Sequence, residues 1–97
     1  MNKALLIEEI SDRLGLPRQQ VEEMLAAFVD ITIETLQDRQ ELTIAGFGTF
    51  SAKFRSARMG VHPQHPNERI RIPAVIVPKF KAGKNLKEAL KTIPAEE

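Results

Sequence analysis

The sequence predicts an α+β fold: two N-terminal helices, then antiparallel strands that include one long hairpin, then a short C-terminal helix. Three observations carry this. Apolar residues up to Leu36 recur at helical spacing, those between Leu42 and Val77 alternate at strand spacing, and Gly15, Pro17, Gly46, Gly48 and Gly83 stand at the junctions.

Asn2 is placed to cap a first helix whose Leu6, Ile7, Ile10 and Leu14 fall on one face, and Gly15 supplies its stop. Pro17 fits the first turn of a second helix. No glycine or proline follows before Gly46, so one uninterrupted helix to about Asp38 is expected. Ten of the sixteen residues from Val21 to Leu36 are apolar. At about 100° per residue they sweep roughly 260° of the circumference. Glu23, Asp30 and Glu34 leave a narrow polar strip. A chain of 97 residues cannot wrap such a helix alone, so another copy of the chain is expected to cover part of it.

Leu42 to Ile44 reads as a short strand, Gly46-Phe47-Gly48 as a turn, and Thr49 to Arg55 as a second strand in which Phe50, Ala52 and Phe54 alternate with polar residues. From Arg58 to Arg69 the chain holds two prolines, a glycine and an asparagine, and its sizeable apolar side chains are Met59 and Val61. Such a segment builds no core. Arg69 to Ile72 alternates again and Ala74 to Val77 extends towards Phe80, so Lys53 to Ile76 reads as a projecting hairpin with a turn-rich tip. After Gly83, a helix over 84–93 would set Leu86, Ala89, Leu90 and Ile93 against Lys84, Lys87 and Lys91 on the opposite face, and Pro94 ends it.

Net charge is +1, but the halves differ sharply. Residues 1–45 hold four Lys/Arg against nine Asp/Glu, a net −5, and residues 46–97 hold ten against four, a net +6. An acidic body with a basic surface suits a polyanionic partner. Lys53 and Arg55 share a strand face, Arg58 follows, and Arg69 and Arg71 share a face of the returning strand, so the hairpin can present a ladder of cations. Several such contacts sum to useful phosphate affinity through counterion release.

Other chemistries find little support. The chain has no cysteine, which removes disulfides, thiol catalysis and thiolate metal sites. The four apolar residues Ala4 to Ile7 before Glu8 are too few for a signal peptide, and no stretch approaches a membrane span. Gly83-Lys84 is similar to a P-loop ending, but Asn85 stands where Ser or Thr is required. His62 and His65 read as exposed loop histidines, and the pairs Glu8-Glu9 and Glu22-Glu23 as solvated helix faces. The expectation is a protein that is not an enzyme, with no cofactor, metal, membrane or small-molecule substrate.

Four segments carry a family resemblance: Gly46-Phe47-Gly48-Thr49-Phe50, the run Arg55-x-x-Arg58-x-Gly60-x-x-Pro63-Gln64, Ile72-Pro73-Ala74, and Pro78 through Lys87. The chain resembles the bacterial HU and integration host factor family of DNA-bending proteins from Met1 to about Lys91. The resemblance implies an intertwined dimer with two N-terminal helices per subunit, a three-stranded antiparallel sheet with a long β-ribbon arm, and a short C-terminal helix. It divides the single domain into a helical dimerisation part (1–45), a β saddle and arm (46–81, arm about 53–76) and the final helix (84–93). It implies duplex DNA as partner, bound in the minor groove, in the bacterial cytoplasm on the nucleoid. Lys3, Lys53, Arg55, Arg58, Pro63, Arg69, Arg71, Lys84 and Lys87 become candidate DNA-binding residues, Pro63 the intercalating wedge, and Phe28, Phe47, Phe50 and Phe80 the dimer core.

Some positions depart from the family pattern. His65-Pro66-Asn67 replaces a Thr-Gly turn and is one residue longer, while Met59, Val61, His62 and Ile76 occupy arm positions often basic or polar in the family. Arg39 stands for the usual glycine after the second helix, and Pro17 for its capping Ser. The reduced arm charge predicts weaker or more salt-sensitive binding. The reading is a homodimeric, low-specificity architectural DNA binder. The alternatives are a subunit of a sequence-selective bender, with a paralogue as partner, and a basic protein-interaction module without DNA function.

Overall fold

The computed structural model describes residues 1–62 and 64–94, in two units: a helical one, Met1–Glu34, and a β-rich one from Thr35 onward. The elements in order are α1 (Lys3–Leu14), α2 (Arg18–Gln37), β1 (Leu42–Ile44), β2 (Gly48–Arg55), β3 (Arg58–Val61), β4 (Arg69–Ile72), β5 (Val75–Ala82) and α3 (Lys84–Lys91). This is the expected α+β order. The intercalation assigned to Pro63 lies outside the described residues.

In the helical unit, Asn2 Oδ1 accepts from the Leu5 N–H at 2.9 Å, which satisfies one of the donors that a helix start leaves open. Gly15 ends α1 in the left-handed region at φ 66°, and its N–H donates to the Ser11 carbonyl at 2.9 Å. The Ser11 hydroxyl donates to the Leu16 carbonyl and holds the link. The α2 ladder opens with the Val21 N–H on the Pro17 carbonyl at 3.2 Å, and an Arg18–Glu8 ion pair at 3.1 Å ties the two helices together.

Ile7 and Val21 are the buried hydrophobic side chains among the described residues. Along α2, Met24, Phe28, Val29, Ile31 and Ile33 remain 38–52% exposed. The sweep of apolar residues seen in the sequence is thus exposed along α2.

The end of α2 is a Schellman motif. Arg39 N–H donates to Leu36 O at 3.0 Å and Gln40 N–H to Thr35 O at 3.1 Å, with Arg39 itself left-handed at φ 61°. A side chain with a Cβ is strained there, and glycine is not.

β1, β2 and β5 form a three-stranded antiparallel sheet in the order β1-β2-β5, and β3 and β4 a separate two-stranded ladder. The Phe47 N–H donates to the Ile44 carbonyl at 3.0 Å across a turn whose third residue, Gly46, has φ 83°, the geometry of a type II turn. The expected hairpin is present but interrupted. Pairing stops after Arg55↔Val75 and resumes at Arg58↔Ile72, with Ser56 and Ala57 unpaired on one strand and Pro73 and Ala74 on the other. Equal gaps keep the register unchanged. Pro73 has no N–H to give a ladder, which accounts for the break. α3 ends at Lys91, short of Ile93, where the Thr92 hydroxyl caps the Ala89 carbonyl at 2.8 Å.

Arg39→Gly relieves the left-handed strain while leaving both Schellman bonds in place. Stability should rise by about 0.5–1 kcal/mol. Thermal melts at matched protein concentration check this through a higher Tm; an unchanged Tm would mean that the Arg39 side chain makes compensating contacts.

Candidate nucleic-acid interface

Pairing register decides which cations stand together, because opposite residues share a face and faces alternate along each strand. In β2 and β5 the pairs Thr49↔Lys81, Ser51↔Lys79, Lys53↔Val77 and Arg55↔Val75 make one face. Phe50↔Phe80, Ala52↔Pro78 and Phe54↔Ile76 make the other. The sheet is thus basic on one side and apolar on the other. In the arm ladder, Met59↔Arg71 and Val61↔Arg69 share a face, while Arg58↔Ile72 and Gly60↔Ile70 lie on the reverse. Arg69 and Arg71 therefore stand together. Arg58 is on the opposite face of that ladder, unlike the single run of cations that the sequence suggests.

α3 extends the basic face of the sheet. The Gly83 N–H donates to the Phe47 carbonyl at 2.8 Å, and the Gly83 carbonyl accepts from Lys87 N–H at 3.1 Å, so the helix start is fixed on the turn that follows β1. An open hollow is lined there by Thr49, Lys81, Lys84, Lys87, Glu88 and Lys91. Lys81 and Lys91 are absent from the sequence-derived candidates. Lys91 lies on the lysine face of α3 that the sequence already shows, and the pairing with Thr49 sets Lys81 beside that face. Within the hollow, Lys84 Nζ lies 3.9 Å from Glu88 Oε1, an exposed pair of little energetic weight.

The other candidates sit elsewhere. Lys3 opens α1 and borders two hollows of the helical unit, one apolar with Leu6, Leu25, Phe28 and Val29, the other with Ala4, Ile7, Arg18 and Glu22. Phe80 stacks tilted against Phe50 at 4.8 Å and Phe47 at 5.3 Å between centroids, on the apolar side of the sheet. Phe47 and Phe80 remain over 40% exposed, at 43% and 41%. Phe28 lies on α2 in the helical unit.

At the arm end, the His62 N–H donates to the Glu68 carbonyl at 3.0 Å, one step beyond Val61↔Arg69, and the Glu68 N–H donates to the His65 carbonyl at 2.9 Å. His62 Nδ1 accepts from Gln64 N–H at 3.1 Å, and the His62 and His65 rings are 5.0 Å apart. Among the described residues no group of three His, Cys, Asp or Glu could hold a metal, and no helix is long and apolar enough to cross a membrane.

The family model described as "Bacterial DNA-binding protein" matches residues 1–91. The chain belongs to this family. It is 42% identical over 90 residues to the DNA-binding protein HU of Lactococcus lactis, covering 93% of this chain and 98% of that one. To HU-alpha of Vibrio cholerae it is 41% identical over 91 residues, covering 94% and 100%. Among solved structures, the Anabaena HU–DNA cocrystal structure is similar with a TM-score of 0.86 and 34% identity over 93% of this chain and 97% of that one. HU from Thermotoga maritima follows at 0.66 and 28%, covering 93% and 98%. The fold is that of the HU family, as the resemblance in the sequence implies.

Among the described residues, Glu88 is the one carboxylate lining the lysine hollow. Glu88→Gln should raise affinity for duplex DNA several-fold at low salt, while thermal stability changes by less than about 0.5 kcal/mol. Filter binding beside a thermal melt separates the two effects, and equal affinity would place the hollow away from DNA.

Proposed function

We propose that the chain is a non-enzymatic architectural DNA-binding protein, a homodimer that bends and compacts duplex DNA with little base readout, on the nucleoid in the bacterial cytoplasm. One observation carries the reading. The register gathers Lys53, Arg55, Lys79 and Lys81 on one sheet face, and that face runs into the lysines of α3. A spread of cations at strand and helix spacing suits a row of phosphates and no small ligand. Relatives named DNA-binding protein HU, and the Anabaena protein solved with DNA, support it.

Affinity then comes from phosphate contacts by Lys53, Arg55, Arg58, Arg69, Arg71, Lys84 and Lys87, with Lys3 as a further contact at the helical end. Bending comes from Pro63, whose compact apolar ring has no N–H to leave unsatisfied between unstacked bases. An arm with fewer cations neutralises fewer phosphates. Since the slope of log affinity against log salt counts those phosphates, fewer arm cations should weaken binding and flatten that slope, the opposite of the greater salt sensitivity that the sequence reading allows. The second copy covers the apolar surface of α2 and the phenylalanines of the sheet, with Phe28, Phe47, Phe50 and Phe80 at or beside the contact.

Gel shifts on linear, nicked and four-way-junction DNA, run as a salt series, test the reading; unchanged DNA mobility at low salt would overturn it. Pro63→Ala should narrow the bend angle, read by energy transfer between labelled DNA ends, more than it weakens affinity for linear duplex. An unchanged angle with lower affinity would make Pro63 a turn residue and send the same test to Pro66. The dimer predicts a Tm that rises with protein concentration. A stable monomer in sedimentation at micromolar concentration, melting independently of concentration, would refute it.

A further inference from the structure

Both histidines of the chain, His62 and His65, stand at the end of the arm, where phosphate binding by the arginines leaves them without a role. The loop is tied through them. His62 N–H donates to the Glu68 carbonyl at 3.0 Å, Glu68 N–H to the His65 carbonyl at 2.9 Å, and His65 N–H to the His62 carbonyl at 3.2 Å. The two rings lie 5.0 Å apart, tilted by 45°, with His62 half-buried and His65 exposed. His62 Nδ1 accepts the Gln64 N–H at 3.1 Å, so this ring is neutral, with its proton on Nε2. The fixed cations of the β3–β4 ladder are Arg58, Arg69 and Arg71. Arg69 pairs with Val61, and His62 is one strand step, about 3.3 Å, beyond that pair.

We infer that His62 and His65 form a proton-controlled DNA contact, resting on the DNA-binding reading above: the arm end takes up a proton as it meets phosphate and grips duplex DNA more tightly as pH falls below neutrality. Imidazole is the side chain whose charge changes across this range. A proton on either ring adds a fourth cation to a ladder with three, and a nearby phosphate favours that charged form. Two charges at the 5.0 Å ring separation would repel, so each arm gains about one. The other charged groups joined to the loop are Glu68 and Arg69, of opposite sign, which leaves the DNA phosphates as the field without a counterpart. At His62 the proton has a second effect. A protonated Nδ1 carries a hydrogen and no longer accepts from Gln64, so this loop contact opens as the charge appears.

Wild-type affinity for duplex DNA at fixed salt should rise about fivefold to twentyfold between about pH 7.5 and about pH 6. The slope of log affinity against log salt should steepen by about one to two units, one added cation on each arm of the dimer. The His62→Gln/His65→Gln variant should fold as the wild type by circular dichroism at both pH values and vary in affinity by less than about twofold between them. His65→Lys, which fixes a charge at the exposed position, should bind at the higher pH as tightly as the wild type does at the lower one. Equal wild-type affinity at the two pH values, an undiminished pH dependence in the double variant, or no gain in His65→Lys would overturn the proposal while leaving DNA binding intact. No binding by the wild type at either pH would overturn the functional reading itself.

Discussion

The pairing of β2 with β5 is the constraint on which the rest of the β unit depends. A shift of one residue would carry Lys79 and Lys81 to the side of Phe50 and Phe54 and leave Phe80 among the cations. Several local features pin the register. The Gly46 turn sets Gly48 opposite Ile44, and the Phe50–Phe80 contact locks the next pair. At Gly48 an added Cβ would fall 2.5 Å from the Lys81 carbonyl oxygen and 2.6 Å from the Phe80 ring. The missing side chain lets β5 and its aromatic ring close over β2, and the same closure brings Lys81 to the foot of α3.

Burial explains why so small a chain carries so much apolar surface. Among the described residues, two buried hydrophobic side chains cannot offset the chain entropy lost in ordering the helices and strands. Leu90 and Ile93, each 61% exposed at the end of the chain, add to the deficit. Under the proposed homodimer these surfaces become interior, and folding and association are one process.

Much of this was legible in the sequence because the local signals agree. Asn2, Gly15 and Pro17 mark helix boundaries, Gly46 marks the turn, and alternation in Thr49 to Arg55 gives strand and face at once. What escaped were properties that need two segments to be set side by side. Lys81 joins the lysine hollow through a partner more than thirty positions away, Thr49, and Arg58 leaves the company of Arg69 and Arg71 because of the residue opposite it. The ladder break at Pro73 was visible as a proline, but not as a symmetric gap that preserves register. Arg39 in a glycine conformation is legible only against the family pattern, since arginine itself carries no signal for a left-handed backbone.

Pro78 lies in the middle of β5, opposite Ala52, and β5 has no other strand beside it among those described. An eight-residue strand with one free side is a template on which another chain can add. A proline there withholds the donor that an incoming strand would need, and Lys79 and Lys81 next to it repel a second copy of the same edge. The protein can thus be concentrated along a polymer at high local density without its sheets growing into one another, so crowding on the template does not become aggregation.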